Sequence, residues 1–341
     1  MEFSVGLTAV GRNGFNGCTA LLDLGTDSYV TSRQFYSTPV LKLVDLRGCT
    51  SLEVIGSETF STTRNTCTFL LDGCTALKAI YSSAFAGHGA AVELDLSGLS
   101  ALELIDSNAF TRGKYIGTLV IPENVVTIGS YAFGNSAGCG SYNQFSKIDL
   151  SQSGSLETIG SYAFAYIPLQ TVDFSGCTSL TAIGANAFRN DLALTELDLS
   201  ACTSLASIGD NAFRDCVAVK TITIPAGVTS LASTAFTNCG VVNVLKWDAA
   251  AYPTALDAAT FTAGNGFANG YDLIIGGSVD ALPDQFFKAA ASCGDTAPII
   301  SAPAKPSCSA IPCRWIPTMT PRTTRPSTAS PCGISIPRQR A

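Results

Sequence analysis

Charge and histidine are what this chain has least of. Only 13% of its 341 residues are Asp, Glu, Lys or Arg, against about 25% in an ordinary soluble domain. The single histidine, His88, removes most metal sites and most histidine-dependent hydrolases. Long apolar runs are missing as well. The charge-free stretch between Lys220 and Lys246 is broken by Pro225, Asn238, Asn243 and many Thr and Ser. No spanning helix of about 20 apolar residues fits there. The start, MEFSVGLTAV, has no basic n-region and no clean apolar h-region, which predicts no secretory signal. There is no N-x-[ST] sequon and no Walker-type phosphate loop, and GNGFANG (264–270) has the wrong glycine spacing for a dinucleotide site.

What is present is 46% apolar residues, thirteen cysteines and a net charge of −6 that is unevenly spread. Residues 1–297 hold 14 Lys and Arg and all 26 Asp and Glu, a balance of 14 − 26 = −12. Residues 298–341 hold 6 Lys and Arg, no acid and 9 of the 15 prolines. That composition predicts two regions: a folded acidic body over 1–297 and a Pro/Thr/Ser-rich, basic, disordered tail over 298–341. The tail reads either as a flexible linker or stalk, or as the product of a frameshift or misjoined exon. The acidic body disfavours nucleic acid as a partner.

The body repeats itself. LETIGSYAF (156–164) recurs as LTAIGANAF (180–188) and LASIGDNAF (205–213), with looser copies at 52–60, 77–85, 102–110, 125–133 and 228–236. An aliphatic residue five positions before a Phe extends the series to Val10/Phe15, Val30/Phe35, Leu256/Phe261 and Leu282/Phe287. Twelve Phe anchors result, most of them 23 to 26 residues apart, with exceptions of 20 and 31. A second phrase precedes each anchor. In LTELDLSACTSL (194–205), alternation at Leu197-Asp198-Leu199 predicts a short strand with one buried face. A unit of this length cannot bury its own apolar face, so stacked copies share one core.

The L-x-x-L-x-L-x-x-C-x-x-L frame resembles a leucine-rich repeat with cysteine at the usual asparagine position. The L-x-x-I-G-x-x-A-F phrase and the variants IPENV (121–125) and IPAGV (224–228) are similar to the BspA-like subclass. The resemblance spans roughly residues 7–290. It implies an α/β-type but strand-dominated solenoid of about twelve repeats, a right-handed superhelix with a concave parallel sheet. It also implies a non-enzymatic, protein-binding surface or secreted protein, plausible as an adhesin or receptor. Self-association through the solenoid, as a scaffold, is the alternative. At ~4.8 Å per stacked strand the sheet is expected to run about 55 Å. No cofactor is expected.

In the strand phrase, the residue between two inward aliphatics faces outward. It is Asp23, Asp45, Asp95, Asp149, Asp173 and Asp198 in six repeats. Glu93 and Glu196 stand two residues earlier, and Ser97, Ser151, Ser175 and Ser200 two residues later. This column is the candidate ligand face, suited to a basic protein segment. A flat ladder does not supply the 6–8 converging oxygens of a calcium cage, and a solvated Asp face is the plain alternative. Like charges at one strand spacing are expected to raise each other's pKa unless a basic group intervenes.

Cysteines keep register too: Cys49, Cys74, Cys177 and Cys202 at one position, Cys18, Cys216 and Cys239 at another. Buried free thiols are expected, although Cys49/Cys74 and Cys177/Cys202 come close enough in the stack for disulfides to remain open. No C-x-x-C pair exists, so no zinc site is expected. Gly134-Asn135-Ser136-Ala137-Gly138 matches the G-x-S-x-G elbow, but it lies in a loop far in sequence from His88, so it is read as no active site. The insertion 134–144 reads instead as a surface loop offering Tyr142 as a contact.

Overall fold

The structure, a computed structural model, describes residues 23–24, 43–47, 49–61, 68–87, 91–137, 142–239, 242–249, 267–275, 299–302 and 314–317. Among the described residues each repeat forms one coil carrying two short strands, and every strand pair is parallel. The I-G phrase supplies a narrow ladder of two-residue strands: Val54–Ile55, Ala79–Ile80, Leu104–Ile105, Thr127–Ile128, Thr158–Ile159, Ala182–Ile183, Ser207–Ile208 and Ser230–Leu231. Asp23–Leu24 joins its first edge, opposite Val54–Ile55. The L-D-L phrase supplies a broad ladder in three segments. One is Leu43–Asp45 with Thr68–Leu70, and a second runs Ala91–Glu93, Lys114–Val120, Gln144–Asp149, Thr171–Asp173. The third runs Glu196–Asp198, Thr221–Ile224, Val242–Trp247, Phe267–Ile275, Ile299–Ala302, Arg314–Pro317. Its last two strands fall within the basic tail segment, the rest of which lies outside the described residues.

The aliphatics of both ladders and the Phe anchors fill one continuous interior. Eight anchors, Phe60, Phe85, Phe110, Phe133, Phe164, Phe188, Phe213 and Phe236, are buried and stack ring over ring with centroids 5.1–5.6 Å apart. Seven ring-to-ring steps mean about seven turns of solenoid. Each stacked pair adds about 0.5–1.5 kcal/mol beyond its area burial.

The α/β expectation is corrected, for among the described residues there is no helix. From the narrow strand to the anchor only about five residues run, too few to nucleate one. They form instead a chain of tight turns with left-handed residues on either side of the anchor. Two before the anchor stand Glu58, Ser83, Asn108, Tyr131, Tyr162, Asn186 and Asn211, with φ of 54–58°. Two after it stand Arg112, Tyr166, Asn190, Asp215 and Asn238, with φ of 55–65°. Every second N–H group of these turns points along the axis, so Asn108 N donates to Ser130 O at 2.8 Å and Phe110 N to Ala132 O at 2.7 Å. Glycine in the I-G phrase has a different cause. A Cβ on Gly129, Gly160, Gly184 or Gly209 would stand 2.5–2.8 Å from backbone of the preceding coil. Only a residue without a side chain lets the coils approach this closely.

Candidate ligand-binding face

Asp149 and Asp173 sit directly opposite each other in adjacent strands. Asp198 follows at the edge of the next segment, where its register neighbours are Thr223 and then Lys246. Asp23 leaves the column, since it pairs with Val54 in the narrow ladder. Glu93 and Glu196 are exposed on the broad ladder. The Glu93 carboxylate lies over Gly117, a left-handed glycine in strand Lys114–Val120, opposite the bulge that Gln144–Asp149 makes between Phe145 and Lys147.

The serines two residues on have a local job. The Oδ1 of Asp95, Asp149, Asp173 and Asp198 accepts the N–H of Ser97, Ser151, Ser175 and Ser200 at 2.9, 3.0, 3.1 and 3.0 Å. The hydroxyls of Ser97 and Ser175 donate to the same oxygens at 2.6 Å. These are Asx turns that end each strand. The D-x-S spacing was legible in the sequence, and it signals a turn as directly as a ligand.

Basic groups stand beside the carboxylates. Lys147 Nζ donates to Asp149 Oδ2 at 2.8 Å. Partial burial works to raise the Asp149 carboxyl, but the hydrogen bonds from Lys147 and Ser151 outweigh it and hold it below the ordinary range. Asp198 behaves alike: burial raises it, while Ser200 and the charge of Lys246 bring it down. Asp248 is pushed up, by burial first and by Asp198 against the pull of Lys246. The mutual repulsion expected of a bare acidic stripe is thus relieved by two lysines. The remaining outward charge lies on Asp95, Asp173, Glu93 and Glu196.

The insertion is closed by two asparagines that the sequence did not single out. Asn135 Nδ2 donates to Asn143 O at 3.1 Å and to Tyr166 O at 3.0 Å, and Asn143 N donates back to Asn135 Oδ1 at 3.2 Å. The buried Asn143 amide also donates to Phe110 O and Phe133 O at 2.9 and 2.6 Å. It supplies donors that a shorter loop would offer from its own backbone. Tyr142 beside it is half-buried. The elbow-like Gly134 is a packing glycine, since a Cβ there would meet Tyr162 O at 2.0 Å. Gly138 and His88 lie outside the described residues.

Cys49, Cys74, Cys177, Cys202, Cys216 and Cys239 are buried thiols, not bridged to one another. Cys74 Sγ donates to Leu46 O at 3.2 Å, Cys216 to Phe188 O at 3.0 Å and Cys239 to Phe213 O at 2.9 Å. Burial first, then neighbouring Cys49, pushes the Cys74 thiol up to about 12. Hydrogen bonding to Cys202 and burial raise Cys177. Thiols held this way react slowly, because the thiolate is the nucleophile. In the native protein these six cysteines are expected to label with a disulfide reagent only as fast as the coils open, and at once in denaturant. Mass spectrometry of the labelled peptides checks this; prompt native labelling of Cys74 or Cys177 would refute it. One buried acid also escaped notice in the sequence. Asp191 is fully buried three residues after Phe188, where the next two coils carry Cys216 and Cys239.

Among the described residues no group of three or more His, Cys, Asp or Glu side chains is placed to hold a metal ion. No described helix is long and apolar enough to cross a membrane. Comparison with known proteins adds the family. The model of the BspA type leucine rich repeat region matches residues 1–88, 28–141 and 103–243, with six copies. Among solved structures, a leucine-rich repeat protein of Bacteroides ovatus is similar at 17% identity over 82% of this chain and 72% of its own, with a TM-score of 0.42. The pneumococcal vaccine antigen PcpA is similar at 18% identity over 76% and 67%, with a TM-score of 0.42. A leucine rich cell surface protein of Faecalibacterium prausnitzii is similar at 19% identity over 63% and 75%, with a TM-score of 0.29. No curated protein matches. With matches spanning residues 1–243 and a stacked-coil fold built on the same phrases, the chain belongs to the BspA-type leucine-rich repeat family.

Proposed function

We propose that this chain is a non-enzymatic protein-binding module, a surface adhesin or receptor, that recognises a basic segment of a protein partner on its broad ladder. The in-register pairing of Asp149 with Asp173, flanked by exposed Glu93, Glu196 and Asp95, carries the reading. Acidic groups repeated at one strand spacing match a row of Lys or Arg on an extended segment. About twelve repeats over 1–297 make the surface long.

The Asx turns make the test clean. Asn keeps the Oδ1 acceptor, so Asp149, Asp173 and Asp198 changed together to Asn remove charge and spare the turns. Titration with a fluorescent lysine-rich peptide is expected to show salt-sensitive binding to the parent chain. Exposed pairs contribute roughly 0.5 kcal/mol each, so the triple variant is expected to bind about tenfold more weakly. Unchanged affinity in the triple variant would sink the proposal.

A further inference from the structure

Tyr131 and Tyr162 hold the same place in consecutive coils, two residues before Phe133 and Phe164. Both are left-handed, with φ of 56° and 57°, where other coils carry Asn, Ser or Glu. Asn tolerates that backbone readily, whereas a bulky aromatic there is an outlier costing on the order of 1 kcal/mol. The fold accepts the cost twice and so brings two phenols together. Tyr131 N donates to Ser161 O at 2.9 Å, which sets the coil spacing. The rings lie 4.5 Å apart between centroids and 5° from parallel. Both residues are half-exposed.

We propose that Tyr131 and Tyr162 are an oxidative modification site, at which a haem peroxidase using hydrogen peroxide forms a dityrosine cross-link between neighbouring coils. Each phenol loses one electron and its hydroxyl proton, and the hole is shared across the stacked rings. The two radicals join through the ring carbons ortho to oxygen. Both carbons then release a proton, which returns to the phenolic oxygens and restores aromaticity. Two C–H bonds break and one C–C bond forms. The net two electrons and two protons reduce one hydrogen peroxide to two waters.

The neighbours favour this pair over the other tyrosines. Tyr115 is buried between Phe110 and Phe145, which cannot couple. The Arg189 guanidinium stands 5.8 Å over Tyr166, and its charge makes an electron harder to remove there. The bridge would join the coils on either side of insertion 134–144, whose base is otherwise held by the hydrogen bonds of Asn135 and Asn143.

The test treats the dilute full chain with lactoperoxidase and limiting peroxide, and in parallel with a ruthenium photo-oxidant small enough to reach half-buried rings. Dityrosine fluorescence and peptide mapping provide the readout. The expected product is an intrachain Tyr131–Tyr162 peptide lighter by two hydrogens, with a yield per chain independent of protein concentration. Tyr131→Phe or Tyr162→Phe, which keeps a ring in the stack, is expected to abolish it, while Tyr142→Phe leaves it unchanged. The proposal is overturned if neither oxidant forms this peptide, if coupling maps to other tyrosines, or if it occurs only between chains.

Discussion

Phe164→Ala is expected to destabilise the protein by about 3–5 kcal/mol. Phe164 is completely buried, with Phe133 stacked on one face at 5.5 Å and Phe188 on the other at 5.2 Å. Truncation therefore removes one ring's burial, two aromatic contacts and the filling of the interior at mid-column. In a stacked-coil protein each coil is stabilised mainly by its two neighbours. A cavity at one junction thus weakens the coupling between the halves on either side. Urea denaturation followed by circular dichroism is expected to show a lower midpoint and a broader or two-step transition. Phe164→Leu keeps most of the volume and is expected to lose much less. An alanine variant within about 1 kcal/mol of the parent would show that the ring column is not what joins the coils.

Asp191→Asn is expected to stabilise the protein at neutral and alkaline pH. The Asp191 side chain is fully buried, with Oδ1 accepting the Ile167 N–H at 3.0 Å and Oδ2 without a hydrogen-bond partner. Burial above all, and the nearby Cys216 thiol, push its pKa well above 3.8, against the Ile167 hydrogen bond. A carboxyl raised in the folded state binds its proton more tightly there than in the unfolded chain. Its contribution is fully present below the unfolded value and is lost as pH rises through the folded value. Parent stability should therefore decline from about pH 4 upward until the folded acid has ionised. Asn keeps the acceptor for Ile167 and cannot ionise, so this segment of the decline should vanish. Urea midpoints of parent and variant across that range decide it; parallel pH profiles would refute the assignment.

The two experiments probe positions that were unequally legible. Phe164 could be named from the chain alone, because the anchor recurs in register and a lone coil has nowhere else to put an aromatic ring. Asp191 could not, because its repeat position holds Thr63, His88 and Ser136 as well as Ile167, Cys216 and Cys239, and only packing reveals that the carboxyl is sealed in. The Asp column lies between. Its register at Asp149 and Asp173 followed from the repeat, but Lys147 beside Asp149 and Lys246 near Asp198 changed its charge. Lys147 stands two residues before Asp149 on the same strand, whereas Lys246 comes from a strand alignment that the repeat phrase does not encode.

The repeat phrase by itself determined the stacked coils, the inward aliphatics, the ring column and the buried cysteines. These follow from periodicity, since a residue type recurring at fixed spacing in a stack must recur at a fixed place. Tertiary structure alone decided the absence of helix among the described residues, the left-handed turns at each anchor and the departure of Asp23 from the acidic column. It also decided the Asn135–Asn143 clamp and the Tyr131–Tyr162 stack. The physical reason is common to all of them. Backbone handedness, hydrogen-bond partners and ring contacts depend on which coil lies above and below, and a single repeat carries no record of its neighbours' side chains.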